Sequence, residues 1–353
     1  MNLIKSMSFT NLLIQWYLQN KRDLPWRNSK NPYKVWLSEI ILQQTRVAQG
    51  LPYFDSFLNT FPTIFDLANA SEQEVLKLWQ GLGYYSRARN LHATAKMIVN
   101  EYNGAFPNTF EGLKKLKGVG DYTAAAIGSF CFNIPVPVVD GNVYRVLSRY
   151  FGIETDIASS KAFKEFYELS KSLLDIQQPD IYNQALMEFG ALYCVPQNPN
   201  CDACIFSESC VAKKQSTVKN LPVKSKKIKI KNRFFNYLVI KDNQHHFKIN
   251  QRLHKDIWQH LYEFELIETA KEESIEWVEK TAKNLLRDSI IEFYQINHQT
   301  IQHKLTHQNL FISFFMVQIS DTKPTYLPYN EVIAHPFPIV ISDFIRLNKN
   351  KIT

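Results

Sequence analysis

The chain of 353 residues is long enough for two or three domains, each with a core of its own, and 45% hydrophobic and 13% aromatic residues with only 11 glycines exclude a long disordered or low-complexity tract. A formal net charge of +8 favours a polyanionic partner. The start, MNLIKSMSFTNLLIQWYLQNKRDLPW, has no secretory h-region and no run approaches the roughly 18 apolar residues of a membrane span, so a soluble cytoplasmic protein with reduced thiols and no membrane partner is expected.

From the N-terminus to about 190, apolar residues recur at spacings of three and four, which predicts an all-α region broken near Pro62, Pro107 and Pro135. The first periodic segment, VWLSEIILQQTRVAQGLPYFDSFL (35–58), carries Glu39 among Val35, Trp36, Ile40, Ile41 and Leu42. Glu39 either shares a wet face with Gln43 or points into a cleft, where desolvation raises its pKa and equips it as a general acid. The second, 71–102, contains GLGYY, in which Tyr84 and Tyr85 read as candidates for core packing or for an exposed role. In LKKLKGVGDYTAAAIGSF (113–130), Gly118-Val119-Gly120 separates two helical patterns and permits a tight turn with positive φ. Amides at the start of the following helix would hold a phosphate oxygen, the look of a helix-hairpin-helix clamp on a DNA backbone.

PVPVVDGNVYRVLSRY (135–150) places Asp140 at the end of an extended run and the start of a helix. An N-cap is the bland role for such an aspartate, and it is compatible with an ionised carboxylate that stabilises a developing cation. One carboxyl held protonated and one ionised is the pattern for breaking a glycosidic bond through an oxocarbenium-like state, and DNA has such a bond at every nucleotide. After the helical pattern of 161–176, four of the five cysteines form C-x6-C-x2-C-x5-C: Cys194, Cys201, Cys204 and Cys210. Four thiolates admit zinc or an iron–sulfur cluster, and the single short C-x2-C unit favours [4Fe–4S].

Between Glu208 and Asp242 there are ten Lys or Arg and no acidic residue, so 213–231 reads as a basic linker, either lying along phosphates or simply solvated. Beyond it the texture changes. Strands are expected at 234–240, 245–252, 309–319 and 324–328 and helices around 273–289 and 341–350, giving a second, α+β domain over 232–353.

Taken together, the hairpin, the aspartate about twenty residues after it and the cysteine spacing resemble the helix-hairpin-helix DNA glycosylase superfamily. Within it, LPWR (24–27), SEIILQQTRV (38–47), GLGYYSRARNL (81–91), GVGDYTAAAI (118–127), VVDGNVYRVLSR (138–149) and EFGALYC (188–194) are similar to the MutY family of adenine glycosylases. LPVKSKK, DIWQHLYEFEL and KLTHQNL are more loosely similar to that family's Nudix-like domain.

The resemblance implies a multidomain fold. An all-α glycosylase region spans 1–212, with a six-helix barrel over about 28–135 and an iron–sulfur subdomain from 1–27 plus 136–212, and a Nudix-like mismatch-recognition domain follows. It implies removal of adenine mispaired with 8-oxoguanine or guanine in double-stranded DNA by a monomer that leaves an abasic site, with nucleoid association if the source is bacterial. Glu39 would protonate adenine N7 and Asp140 stabilise the sugar cation, supported by Tyr122 and Asn142, with Glu188 near the catalytic water. Gln43, Gln44, Thr45, Arg46, Leu82, Gly83, Tyr84, Arg87, Gly118, Val119 and Gly120 would meet DNA, with Gln44, Leu82 and Tyr84 as wedge or intercalating residues. Thr306 and His307 would read the base opposite adenine. One [4Fe–4S] cluster on the four cysteines would shape a DNA-contacting loop whose own sequence lacks Lys and Arg, leaving phosphates to Lys213 and Lys214.

Three positions depart from the family pattern. Lys117 stands where proline usually precedes the hairpin, Leu305-Thr306-His307 stands for Phe-Ser-His, and Tyr122 stands where lyase relatives carry a lysine that attacks C1′. Tyr122 favours a monofunctional glycosylase over an endonuclease III-like glycosylase/lyase. A non-catalytic iron–sulfur DNA-binding protein would leave Glu39 and Asp140 unexplained.

Overall fold

The computed structural model describes residues 3–225, 230–287 and 290–352. In chain order the helices of the first two thirds are α1 Leu3–Asn20, α2 Pro32–Leu42, α3 Val47–Thr60, α4 Ile64–Asn69, α5 Glu72–Leu78, α6 Ser86–Tyr102, α7 Phe110–Lys114, α8 Asp121–Phe132, α9 Gly141–Phe151, α10 Ala162–Leu173, α11 Pro179–Leu192 and α12 Val211–Lys214. There follow β1 Lys231–Lys241, β2 Asn250–Gln251, β3 Tyr262–Glu263, β4 Glu265–Thr269, α13 Ile275–Leu286, β5 Ile290–Gln295, β6 Ile301–Lys304, β7 Gln308–Ile319, α14 Tyr329–Ala334, α15 Ile339–Leu347 and α16 Lys349–Ile352. Among the described residues no helix is long and apolar enough to cross a membrane.

Two compact units result. One is Met1–Asn69 with Asn90–Lys226, the other Ala70–Arg89 with Lys227–Thr353. Residues 70–89, read from sequence as part of the helical region, therefore cluster with the C-terminal residues. Part of the basic stretch, 226–229, lies outside the described residues.

In the first unit α1, α9, α10 and α11 close on a core of Phe9, Leu13, Val146, Phe166, Tyr182 and Phe189. Phe206 of the cysteine loop reaches the same core, its ring stacked on Phe9 at 4.9 Å. The continuous 3.6-residue pattern over 35–58 is interrupted at 43–46, where Gln43 caps α2 and Gln44 takes φ +57°.

In the second unit the sheet runs β4-β1-β7-β5, with β6 also on β7. β1 and β7 are parallel, with Phe234 opposite Phe311 and Tyr237 opposite Phe314, and the others are antiparallel to their neighbours. Nearly unbroken apolar runs in β1 and β7 suit strands covered on both faces. α13 supplies Val278 and Ala282 against Leu238, Ile240 and Val317. On α15, Phe344 stacks on Phe314 with centroids 3.6 Å apart. Two expected strands are not strands: 245–252 forms only a bridge at Phe247 and the two-residue β2, and 324–328 only a bridge at Leu327. Alternation there is satisfied by single backbone pairings, too short to build a ladder.

Candidate active site

In the first unit a cleft of about 620 Å³ is lined by Glu39, Tyr122, Asp140, Asn142 and Arg27 among others. α2 positions Glu39. Asn31 caps that helix by accepting from the amides of Tyr33 and Lys34, Pro32 fits the first turn, and seven further residues of the helix, from Tyr33 to Ile41, are buried around the glutamate. Glu39 itself is 6% exposed, which decides against a wet face shared with Gln43. The Tyr122 hydroxyl donates to Glu39 Oε2 at 2.6 Å. Burial pushes the Glu39 carboxyl up to about 7; the Tyr122 hydrogen bond opposes the rise, nearby Asp140 adds to it, and Arg27 opposes it.

Asp140 is the N-cap of α9. Its Oδ1 accepts from the Asn142 and Val143 amides at 2.9 and 2.8 Å, and its Oδ2 from Asn142 Nδ2 at 2.7 Å. Cap and cleft residue are thus one side chain. Burial raises this carboxyl above its ordinary range, against the pull of those three donors, so the helix terminus alone does not set its charge. Arg145 holds Asn142 in turn: its Nη2 donates to Asn142 Oδ1 at 2.8 Å and to Gly190 O at 2.6 Å, and its Nε to Cys194 O at 2.7 Å.

Glu188 lines the same cleft with both oxygens engaged. Arg22 donates to them from its amide, Nε and Nη2, and Arg27 from Nη1 and Nη2, at 2.6 to 3.0 Å. Despite the opposing effect of burial, the two arginines hold Glu188 down at about 2. A carboxylate gripped in this way anchors Arg22 and Arg27 in the wall of the cleft. Arg22, Arg27 and Arg145 are not among the candidate residues read from sequence; Arg27 and Arg145 lie within LPWR and VVDGNVYRVLSR, and Arg22 carries no signal. Gln184, which also lines the cleft and accepts from the Tyr17 hydroxyl, carried none.

The hairpin has the form read from sequence. Gly118 takes φ +76°, and a Cβ there would stand 2.9 Å from Asn90 Cβ. Gly120 caps α8 without a side-chain partner, and a Cβ on it would meet open space. Val119 is buried and its amide serves the turn by donating to Leu116 O, so it has no side chain to offer DNA. Of the residues after α2, Gln44 and Arg46 are exposed, Thr45 lines the cleft with Arg46, and Gln43 Nε2 donates to Thr123 Oγ1 at 3.3 Å.

Within the second unit a hollow of about 410 Å³ is lined by Leu82, Gly83, Tyr84, Trp258, Thr306 and His307 among others. Tyr84 is 43% exposed at φ +47°, and its hydroxyl bonds to the Thr306 hydroxyl. Tyr85 is the core tyrosine of the pair. Two expectations need correction. Leu82 is buried and unfit as a wedge, and Arg87 is buried with Nη2 donating to Gly83 O at 3.2 Å and its guanidinium over the Trp79 ring at 5.0 Å. Desolvation lowers Arg87 to about 10, so it braces the turn beneath Tyr84 and does not reach for phosphate.

The four loop cysteines all line one cavity, with Arg149, Phe189 and Phe206 in its wall. Arg149 Nη1 donates to Cys194 Sγ and the Phe206 amide to Cys204 Sγ, both at 3.4 Å. Among the described residues no group of three or more His, Cys, Asp or Glu is arranged to hold a metal ion. Lys213 pairs with Asp202 at 3.1 Å, and its neighbour Lys214 is exposed.

Comparison with known proteins bears on this arrangement. Residues 37–172 match the HhH-GPD superfamily base excision DNA repair protein family, and 236–347 match the NUDIX domain. The chain is 37% identical over 316 residues to the adenine DNA glycosylase of Buchnera aphidicola from Schizaphis graminum, covering 88% of each chain. It is 44% identical over 217 residues to the human adenine DNA glycosylase, covering 59% of this chain and 40% of that one. A solved thermostable thymine-DNA glycosylase superposes with a TM-score of 0.56 at 29% identity over 60% of this chain and 97% of its own. A trapped endonuclease III–DNA intermediate, 22% identical, shares the fold with a TM-score of 0.54 over 61% of this chain and 99% of its own.

Proposed function

The chain belongs to the adenine DNA glycosylase family, and on that premise we propose that the cleft of Glu39 and Asp140 excises adenine from mispairs with 8-oxoguanine or guanine. It is a base-excision repair glycosylase acting on adenine. The observation that carries the mechanism is a buried glutamate poised near neutrality in one cleft with an N-capping aspartate.

Glu39, half protonated near pH 7, gives its proton to the departing base, which leaves as a neutral purine. Positive charge then gathers on C1′ and O4′ of the sugar, and the Asp140 carboxylate, held in place by Asn142 and the Val143 amide, faces that charge across the cleft. Water adds at C1′ and the returned glutamate takes up its proton. Tyr122 orients Glu39 and supplies no amine, which supports a monofunctional enzyme leaving an intact strand with an abasic site. The flipped adenine leaves a gap in the stack, at a cost of a few kcal/mol. Gln44 and Tyr84 are each exposed on a turn at positive φ, which supports the wedge or intercalating role the family resemblance implies for each, and Thr306 and His307, which line one hollow with Tyr84, are the residues it implies for the opposite base. Gly118 gives the hairpin its tight turn and Gly120 its open approach to a phosphate.

The four cysteines would hold a [4Fe–4S] cluster: they line one common cavity and N–H donors point at two of the sulfurs, although their side chains are not gathered as a site for a single metal ion. Such a cluster would hold the loop's shape beside Arg145 and Asn142. A monomeric, cytoplasmic or nucleoid-associated protein with a helical glycosylase region over 1–212, a linker over 213–231 and a recognition domain over 232–353 completes the reading.

The test uses excess enzyme and end-labelled duplex with adenine opposite 8-oxoguanine or guanine. Cleavage only after hot alkali is expected, lost in Asp140→Asn, whose amide still caps α9. Cleavage without alkali would restore the lyase, and none in either aliquot would refute the enzyme.

A further inference from the structure

The turn bearing Tyr84 is rigidly tied to the helix before it. Between Gln80 and Tyr84 the backbone passes through positive φ at Gly81 and Gly83, Trp79 Nε1 donates to Gly83 O at 3.0 Å, and the Gly81 amide donates to the Tyr85 hydroxyl at 3.3 Å. That helix, α5, and the residue that follows its cap are seated on the C-terminal part of their own unit by polar contacts to residues other than Thr306. Lys77 Nζ donates to the carbonyls of Ile333 and His335 at 2.7 and 3.0 Å, at the end of α14. A cation on terminal helix carbonyls is a favourable, directional anchor. Gln80 Nε2 donates to Ser342 Oγ at 2.5 Å, and its Oε1 accepts from the Phe337 amide at 3.3 Å.

We propose that Lys77 and Gln80 are positioning residues for mispair discrimination: by clamping α5 and the residues just after it onto the 333–342 segment they fix where Tyr84 stands relative to Thr306. The Tyr84 hydroxyl reaches Thr306 through one bond, which cannot by itself hold a turn in register, whereas a seat with four hydrogen bonds one turn upstream does. The inference rests on the reading that Tyr84 enters the stack while Thr306, bonded to it, meets the base opposite adenine.

The experiment uses the full-length protein with Lys77→Met, which keeps the apolar stem, Gln80→Ala, and Ser342→Ala, which removes the Gln80 partner from the other side. Amide hydrogen exchange at 81–87 without DNA reports the seat, and single-turnover excision opposite 8-oxoguanine and opposite guanine reports discrimination. The Lys77→Met/Gln80→Ala protein should exchange at 81–87 at least about tenfold faster with α8 and α9 unchanged, and Ser342→Ala should move in the same direction. The ratio of the two excision rates should fall about five- to tenfold while the rate opposite guanine stays within about twofold. General destabilisation would lower both rates together and leave the ratio unmoved. Unchanged exchange, or an unchanged ratio despite faster exchange, would overturn the proposal. Tyr84→Ala and Thr306→Ala test the underlying reading separately: a ratio intact in both removes Tyr84 and Thr306 from mispair discrimination whatever the seat does.

Discussion

Glu39→Gln should inactivate the enzyme and at the same time stabilise its fold above neutral pH. The folded protein holds the Glu39 proton up to about pH 7, whereas an ordinary glutamate releases it near 4.5. Between those values the native state binds more protons than the unfolded chain, so Glu39 lowers stability progressively as pH rises through that window. The full rise is worth about 3 kcal/mol at about 1.4 kcal/mol per pH unit, nearly all of it felt by pH 8 and about 1 kcal/mol or less by pH 5. Glutamine keeps an oxygen for the Tyr122 hydroxyl and carries no charge to desolvate. Urea unfolding of wild type and Glu39→Gln at pH 5 and pH 8 should therefore show the variant ahead by about 2 to 3 kcal/mol at pH 8 and the two nearly level at pH 5. Single-turnover excision should fall by about 10² to 10⁴-fold, the usual worth of a general acid. A variant no more stable than wild type at pH 8, or ahead by the same margin at both pH values, would refute the buried, protonated glutamate.

The remaining predictions follow from neighbouring contacts. Tyr122→Phe removes a hydrogen bond that lowers the Glu39 pKa, so the alkaline limb of the excision rate, expected near pH 7 in wild type, should move upward; a limb in the same place would show that the hydroxyl does not tune the acid. Glu188, held at about 2, stabilises the fold above its ordinary pKa and loses that contribution as pH falls toward 2. Glu188→Gln should cost about 3 kcal/mol at pH 7, measured by urea unfolding, with the deficit shrinking below pH 4.5. Gly118→Ala forces a Cβ against Asn90 at positive φ and should cost about 1 to 2 kcal/mol of stability and weaken binding to any duplex in gel shift, mispaired or not. Iron-replete protein should absorb near 400 nm and lose that band in Cys204→Ser; a colourless protein with stoichiometric zinc would replace the cluster.

What sequence alone determined is what closes within a few residues. Asp140 caps α9 through amides two and three positions on, the Gly118 turn needs one positive φ, and α2 begins at Asn31-Pro32, each a matter of local geometry. The strands β1 and β7 were likewise written in their nearly unbroken apolar runs, whereas the short apolar stretches at 245–252 and 324–328 lack the length to tell a ladder from a single bridge. Only tertiary structure decided which of two adjacent tyrosines faces out, that Leu82 and Arg87 serve the core and the turn, and that 70–89 packs with the C-terminal residues. The charge states were beyond the sequence as well. Glu188 owes its depressed pKa to arginines 161 and 166 residues away, and Glu39 owes its raised one to burial on every side, and neither desolvation nor a distant ion pair leaves a trace in local residue order.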